Sequence, residues 1–380
     1  MRYYIIAGEA SGDLHASNLM RELKIQDPGA VFRFWGGDLM QQQGGELIKH
    51  YRDLAFMGFM EVVAHLPEIL TNFRFCERDM IAFKPDAVIL VDYPGFNLRV
   101  ARFAHKAGLK VFYYISPQLW AWRASRVKGI RETVDRMFVI LPFEKEFYER
   151  YDYHVDFVGH PLLDVINADL HPLNKATFFE QNKLDNRPLI ALLPGSRRME
   201  IGKMLKMMMS VAPDFPGHQF VVAGAPSLED DFYQNLLRDT DLKFVRNQTY
   251  DLLHHAQAAL VTSGTATLEA ALLNVPQVVC YRGNPLSYLI AKQLVKVPFI
   301  SLVNLISGKL VVPELIQEEF TTSNLSNELN KILNNPTFRQ SMLNHYEELK
   351  RLLGGCGASK RAASSMVQAL KVDNKTENKY

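Results

Sequence analysis

Short apolar runs alternate with segments of helical periodicity along almost the whole chain. In the first half they fall at 2–7, 31–35, 86–91, 110–114, 136–140 and 155–158. In the second half they fall at 189–193, 219–223, 242–245, 258–262 and 277–281. These runs are apolar at consecutive positions rather than at every second one, which fits strands buried on both faces. The intervening helical patterns, such as Leu14, Leu19 and Leu23 after the first run, supply the covering layers. The pattern therefore predicts an α/β architecture of two doubly wound, Rossmann-like parallel sheets. The polar stretch 167–186 is the expected linker, giving domains at about 1–170 and 186–350, and the polar end 372–380 is expected to be disordered.

Three of the runs end in a glycine turn that opens a helix. Gly8-Glu9-Ala10-Ser11-Gly12-Asp13 follows the first, Pro194-Gly195-Ser196-Arg197-Arg198 with Glu200 follows 189–193, and Thr262-Ser263-Gly264-Thr265 with Glu269 follows 258–262. The first amides of a helix lack intrahelical partners and its dipole favours an anion there, so a phosphate or pyrophosphate suits such a turn. Glu269 lies further along, where a carboxylate meets sugar hydroxyls instead. One such turn is equally a capped helix that binds nothing. Several of them, at the carboxyl ends of parallel strands, point to a ligand crevice. None has the dinucleotide or Walker spacing, which disfavours a dehydrogenase.

Composition narrows the class. With 380 residues, 48% apolar and 22% charged, the chain can bury two ordinary cores. A net charge of +2 creates no global field for nucleic acid, and none is expected as a partner. Three scattered cysteines, Cys76, Cys280 and Cys356, fit unpaired thiols in a reducing compartment. The first apolar run stops at Glu9, too short for an export signal or a membrane span. A cytoplasmic protein, soluble or on a membrane surface, is expected. His254-His255 point to different helix faces and Asp239-Thr240-Asp241 lies at the wrong end of its sheet, so neither a metal nor a cofactor is expected.

Asp92 closes the run 86–91 ahead of a Pro-Gly turn, where burial would raise its pKa towards that of a general base. A turn-capping role is the alternative. Arg197 is placed to neutralise a departing diphosphate, and His15 to hydrogen-bond near the first turn. Trp120, Trp122, Arg123 and Arg126 mix sugar-stacking rings with phosphate-binding cations, although one tryptophan packed in the core is the simpler reading. Two stretches carry surplus apolar surface. Val62, Leu66, Ile69 and Phe73 form a core stripe, which leaves Phe59, Met60, Val63 and Leu70 over. Of the methionines in 203–209, Met207 and Met208 are among those that cannot all face inward, and Lys203 and Lys206 flank them. Such faces suit an anionic membrane or an acyl chain, or else a helix buried on two sides.

Taken together, the motifs resemble the lipid-A-disaccharide synthases. The resemblance rests on Gly8 to Asp13, Val91-Asp92-Tyr93-Pro94-Gly95-Phe96-Asn97, Trp120-Ala121-Trp122 with Arg123 and Arg126, Val158-Gly159-His160-Pro161, and Leu193 to Arg197. It continues through Thr262 to Glu269, Tyr281-Arg282, and Ser301-Leu302-Val303-Asn304-Leu305, in order over most of the chain. It implies a GT-B fold, with two Rossmann-like domains facing across a cleft and the last helix, 358–371, returned to the first. It also implies condensation of UDP-2,3-diacylglucosamine with 2,3-diacylglucosamine 1-phosphate through a β(1→6) bond, releasing UDP, at the cytoplasmic face of the inner membrane. A homodimer is compatible with this reading.

By the same resemblance Asp92 is the base. Gly195, Ser196, Arg197, Ser263, Gly264, Thr265 and Glu269 would hold UDP, with Tyr281, Arg282 and Asn304 completing the donor pocket. Gly8, Glu9, Ser11, Gly12, Asp13, His15, Trp120, Trp122, Arg123 and Arg126 would contact the acceptor. Two rivals remain at this level: another UDP-sugar enzyme on the same scaffold, such as a UDP-GlcNAc 2-epimerase, and a membrane-surface binding protein without activity.

Overall fold

The computed structural model describes residues 1–54, 66–122, 124–168, 172–196, 198–225, 228–284, 288 and 297–377. The chain divides into two compact units, Met1–Asp164 with Leu353–Tyr380, and Val165–Leu352.

The first unit is built on seven strands: β1 (Arg2–Ala7), β2 (Val31–Gly36), β3 (Glu46–His50), β4 (Ala87–Val91), β5 (Val111–Tyr114), β6 (Arg136–Val139) and β7 (Asp156–Phe157). They form one parallel sheet in the order β3-β2-β1-β4-β5-β6-β7. Alternate residues of each strand feed two separate cores. Tyr4, Ile6, Val88, Leu90 and Tyr113 face one layer of helices, while Tyr3, Ile5, Ile89, Val91 and Phe112 face the other. Burial on both faces is the reason these strands read as unbroken apolar runs.

The second unit has β8 (Leu189–Leu193), β9 (Gln219–Gly224), β10 (Lys243–Arg246), β11 (Ala256–Thr262), β12 (Gln277–Tyr281) and β13 (Glu314–Ile316). Its parallel order, β10-β9-β8-β11-β12-β13, repeats that of the first sheet. In each sheet the order reverses between the first and fourth strands, β1 and β4 or β8 and β11. Ligands of doubly wound sheets bind beyond the carboxyl ends of the strands at such a point.

Two strands escape the apolar pattern. β3, with the sequence Glu-Leu-Ile-Lys-His, is a half-exposed edge, and β13 has only three residues. The final helix, Ala358–Glu377, packs Ala362, Ala363, Met366, Val367 and Leu370 into the first unit's core. Asp164 caps it by accepting from the amides of Gly357, Ala358 (3.2 Å) and Ser359 (2.9 Å). The disorder expected from residue 372 is corrected here, because the helix continues to Glu377. A polar sequence does not end a helix that its preceding turns already hold in place. Residues 378–380 lie outside the described residues.

Candidate functional site

The first unit places Gly8 and Glu9 after β1 and Asp92 after β4, on the two sides of its switch point. Asp92 and Tyr93 are both left-handed, with φ of 45° and 50°. Each such non-glycine residue costs about 1–3 kcal/mol and persists only where its surroundings impose it. Here the Asp92 carbonyl accepts from Asn97 Nδ2 (2.7 Å) and from the Tyr113 hydroxyl (2.6 Å), while its amide donates to the Tyr114 carbonyl (3.0 Å). The helix Pro94–Lys106 starts at once, with proline in its first turn. Burial, and then the charge of Glu9, pushes the Asp92 carboxyl up from 3.8 to about 6. That suits a proton acceptor near neutrality. Gly8 is required by contact, since a Cβ there would meet the Tyr93 ring at 2.3 Å.

Several residues expected at the acceptor brace the loops instead. The buried Asp13 carboxylate accepts from the amides of Gly37 (2.7 Å), Leu39 (3.1 Å) and Met40 (3.1 Å). It is therefore a cap for the segment after β2 rather than a ligand contact. His15 lies within electrostatic reach of His160 and Asp164, and burial drives its pKa down to about 4, so it is neutral. Gly12 is buried against Ala7, whereas Glu9 and Ser11 stay exposed. Trp120 sits edge-on to Phe143 with centroids 4.9 Å apart. Beside it the buried Glu144 accepts from Ser116 Oγ (2.6 Å) and from the amides of Ile140 (3.1 Å) and Leu141 (2.9 Å). Burial pushes this carboxyl to about 7. Arg126 lines a cavity of the first unit. The side chain of Trp122 and all of Arg123 lie outside the described residues.

The second unit gathers the other turns around one cavity of about 500 Å³ at its own switch point. Gly195 and Ser196 approach from the end of β8, Ser263, Gly264 and Thr265 from the end of β11, and Tyr281 and Arg282 from the end of β12. Glu269 and Glu200 add carboxylates. Gly195 has φ of +103°, a conformation that glycine adopts without strain. The helix Ala266–Leu272 is only seven residues long, and the amides of Leu268 and Glu269 turn back onto the Thr265 carbonyl. The anion-binding character of this loop thus rests on the turn as much as on a helix dipole. Burial alone lifts Glu269 to about 7. The Thr262 hydroxyl, which the motif reading passed over, is buried at this cavity with no hydrogen-bond partner. Arg197 lies outside the described residues.

Asn304 does not line this cavity. Its amide donates to the Val312 carbonyl (2.9 Å) and Glu314 (2.8 Å), and its oxygen accepts from the amides of Val311 (2.7 Å) and Val312 (2.9 Å). Glu314 in turn holds the amides of Ile300 and Ser301 (both 3.0 Å), and Ser263 donates to the Ile300 carbonyl (2.9 Å). Asn304 is therefore a positioning residue behind Ser263. Arg282 is likewise braced, donating to the carbonyls of Gln317 (3.1 Å) and Phe320 (2.7 Å) while still facing the cavity.

The apolar surplus resolves unevenly. Leu70 is 44% exposed, on the helix Leu66–Phe83. Phe59, Met60 and Val63 lie outside the described residues. Met208 is fully buried, and Met207 is half-buried with its sulfur 3.7 Å from Thr322 Oγ1. An acyl or membrane contact for Met208 is thereby overturned. The helix Arg198–Met209 packs against the helix Thr322–Asn334, and its Met204 and Met208 are buried.

Two Rossmann-like parallel sheets, each with its own switch point, define the GT-B fold class, and solved structures share that fold. UDP-GlcNAc 2-epimerase from Neisseria meningitidis bound to UDP-GlcNAc matches with a TM-score of 0.69 at 15% identity, covering 97% of this chain and 100% of that one. The calicheamicin glycosyltransferase CalG4 matches with a TM-score of 0.61 at 16% identity, covering 97% and 98%. Sequence relatives are much nearer. The lipid-A-disaccharide synthases of Trichlorobacter lovleyi and Syntrophus aciditrophicus are 40% and 41% identical. Each alignment covers 97% of this chain, with 98% and 97% of the relatives. A family model for lipid-A-disaccharide synthetase matches residues 3–368. The chain belongs to the lipid-A-disaccharide synthase family, and it is a glycosyltransferase of lipid A disaccharide synthesis.

Proposed function

We propose that the second unit binds UDP-2,3-diacylglucosamine and that the first binds 2,3-diacylglucosamine 1-phosphate and supplies the base. The observation that carries this reading is the convergence of Gly195, Ser196, Ser263, Gly264, Thr265 and Glu269 on one switch-point cavity. The two turns offer amides and hydroxyls to the diphosphate, with Arg197 as its counter-charge, and Glu269 accepts from ribose hydroxyls. Asp92 takes the proton of the acceptor 6-hydroxyl as its oxygen forms the new bond to the donor's anomeric carbon. The bond from that carbon to the diphosphate breaks with its electron pair leaving on UDP, so the configuration inverts. Oriented donors at the leaving group are commonly worth ~2.7–4 kcal/mol each, and a positioned base ~10²–10⁴ in rate.

No helix among the described residues is long and apolar enough to cross a membrane. The helix Leu66–Phe83 exposes Leu70 and Ile81 on the side that carries Arg74 and Arg78. That face supports peripheral contact with an anionic lipid surface, and the absence of a disulfide among the described residues accords with the reducing cytoplasmic side. The test compares turnover and UDP affinity in two variants. Asp92→Asn should lose most turnover and keep UDP binding, whereas Glu269→Gln should lose UDP affinity. Equal loss of both properties in Asp92→Asn would remove it from the base role.

A further inference from the structure

Beyond Arg126, the roles above leave unused a cavity of the first unit, about 670 Å³, which lies among the helices Leu66–Phe83, Pro94–Lys106 and Val127–Arg131. Its walls are mostly apolar, from Ile69, Phe73, Leu98 and Ile130, and Tyr93 forms the part next to Asp92. Three guanidinium groups also line it. Arg99 and Arg102 stand one helical turn apart on the face that carries Leu98, and Arg126 comes from the opposite helix. Among the described lining residues there is no carboxylate. Apolar walls with three cations and no anion match an amphiphile whose head is anionic.

Two glycines border the open space. A Cβ on Gly95 or on Gly129 would meet nothing within 4 Å.

We infer that this cavity is the acceptor's lipid and phosphate subsite, with one acyl chain lying between Phe73 and Ile130 and the 1-phosphate held by Arg99, Arg102 and Arg126. This rests on the acceptor assignment made above. A membrane phospholipid presents the same chemistry, an acyl chain beside a phosphate. The acceptor is favoured because Tyr93, which lines the cavity, directly follows Asp92 in the chain, so an occupant would lie near the base.

The test uses full-length protein, the R99Q/R102Q double variant and Gly129→Phe. Steady-state rates are measured with a long-chain diacylglucosamine 1-phosphate, its short-chain analogue and its dephosphorylated analogue. Arg99 and Arg102 are exposed, so the double variant should fold even if the plugged one does not. The double variant should lose about 10–100-fold in kcat/KM for the phosphorylated acceptor and little for the dephosphorylated one. Gly129→Phe should raise KM for the long-chain acceptor and spare the short-chain one. UDP affinity and donor KM should stay as in the wild type.

Unchanged acceptor kinetics in the double variant, or equal losses with and without the phosphate, would overturn the inference. So would a defect confined to cosedimentation with phosphatidylglycerol vesicles, which would assign the cavity to membrane lipid. An inactive wild-type protein would defeat the acceptor reading itself, a separate failure from that of the variants.

Discussion

Asp92→Asn should make the protein more stable while it destroys activity. The carboxyl is raised from 3.8 to about 6 by burial and by Glu9, and a displacement of that size corresponds to about 3 kcal/mol. Above pH 6 both the folded and unfolded forms carry the ionised group, and the folded form bears the whole cost. Below about pH 4 both are protonated and the cost is gone. Asparagine removes the charge, keeps the shape and tolerates the left-handed φ of 45° at this position. The gain should therefore be present in full above pH 6, shrink between pH 6 and 4, and vanish below.

All three tryptophans, Trp35, Trp120 and Trp122, belong to the first unit, so their fluorescence follows the unfolding of that unit alone. At about 2–4 °C per kcal/mol, the variant's fluorescence transition at pH 8 should rise by several degrees. Turnover should meanwhile fall by ~10²–10⁴. A lower transition at pH 8, or a gain of the same size at pH 4 and pH 8, would show that the Asp92 carboxylate is not the desolvated group described here.

Other consequences are as definite. Since accepting from ribose hydroxyls favours the ionised form of Glu269, whose pKa is about 7, UDP affinity should rise as pH increases through 7. Calorimetric titration from pH 6 to 8 should see that rise disappear in Glu269→Gln. Asn304→Ala removes four hydrogen bonds of a buried amide and should destabilise the second unit by about 3 kcal/mol, measured by urea unfolding. Gly8→Ala forces the Tyr93 ring away from the β1 turn. It should lower turnover at least tenfold while UDP affinity is unchanged, and UDP titration beside initial rates checks both. Glu9→Gln removes a charge that raises the Asp92 pKa, so the acidic limb of the kcat/KM profile should move to lower pH.

Most strands of both sheets were legible in the chain because strands buried on two faces leave continuous apolar runs, while their order came only from the fold. β3 and β13 were not, since an edge strand open to water or three residues long leaves no such run. The glycine turns that gather at the second unit's cavity were legible for a related reason: glycines and hydroxyls at strand ends have few other uses. Polar residues near those loops were ambiguous. Asp13 and Asn304 resemble ligand contacts in sequence, yet their side chains are spent on protein groups that hold the loops in place. Whether a polar side chain faces the ligand or braces the turn behind it depends on packing that no local spacing encodes. The methionines of 203–209 failed similarly, because burial on a second side depends on the distant helix Thr322–Asn334. Arg99 and Arg102 belong to no motif in the sequence, and only the fold puts them with Arg126 around one space.

The central claim is that donor and acceptor are joined with loss of UDP. It is tested most directly by incubating the protein with UDP-2,3-diacylglucosamine, with and without 2,3-diacylglucosamine 1-phosphate, and identifying every product. One UDP per newly formed β(1→6) disaccharide 1-phosphate, with neither product when the acceptor is omitted, is the predicted result. UDP release that ignores the acceptor, or a sugar nucleotide inverted at its second carbon, would contradict it.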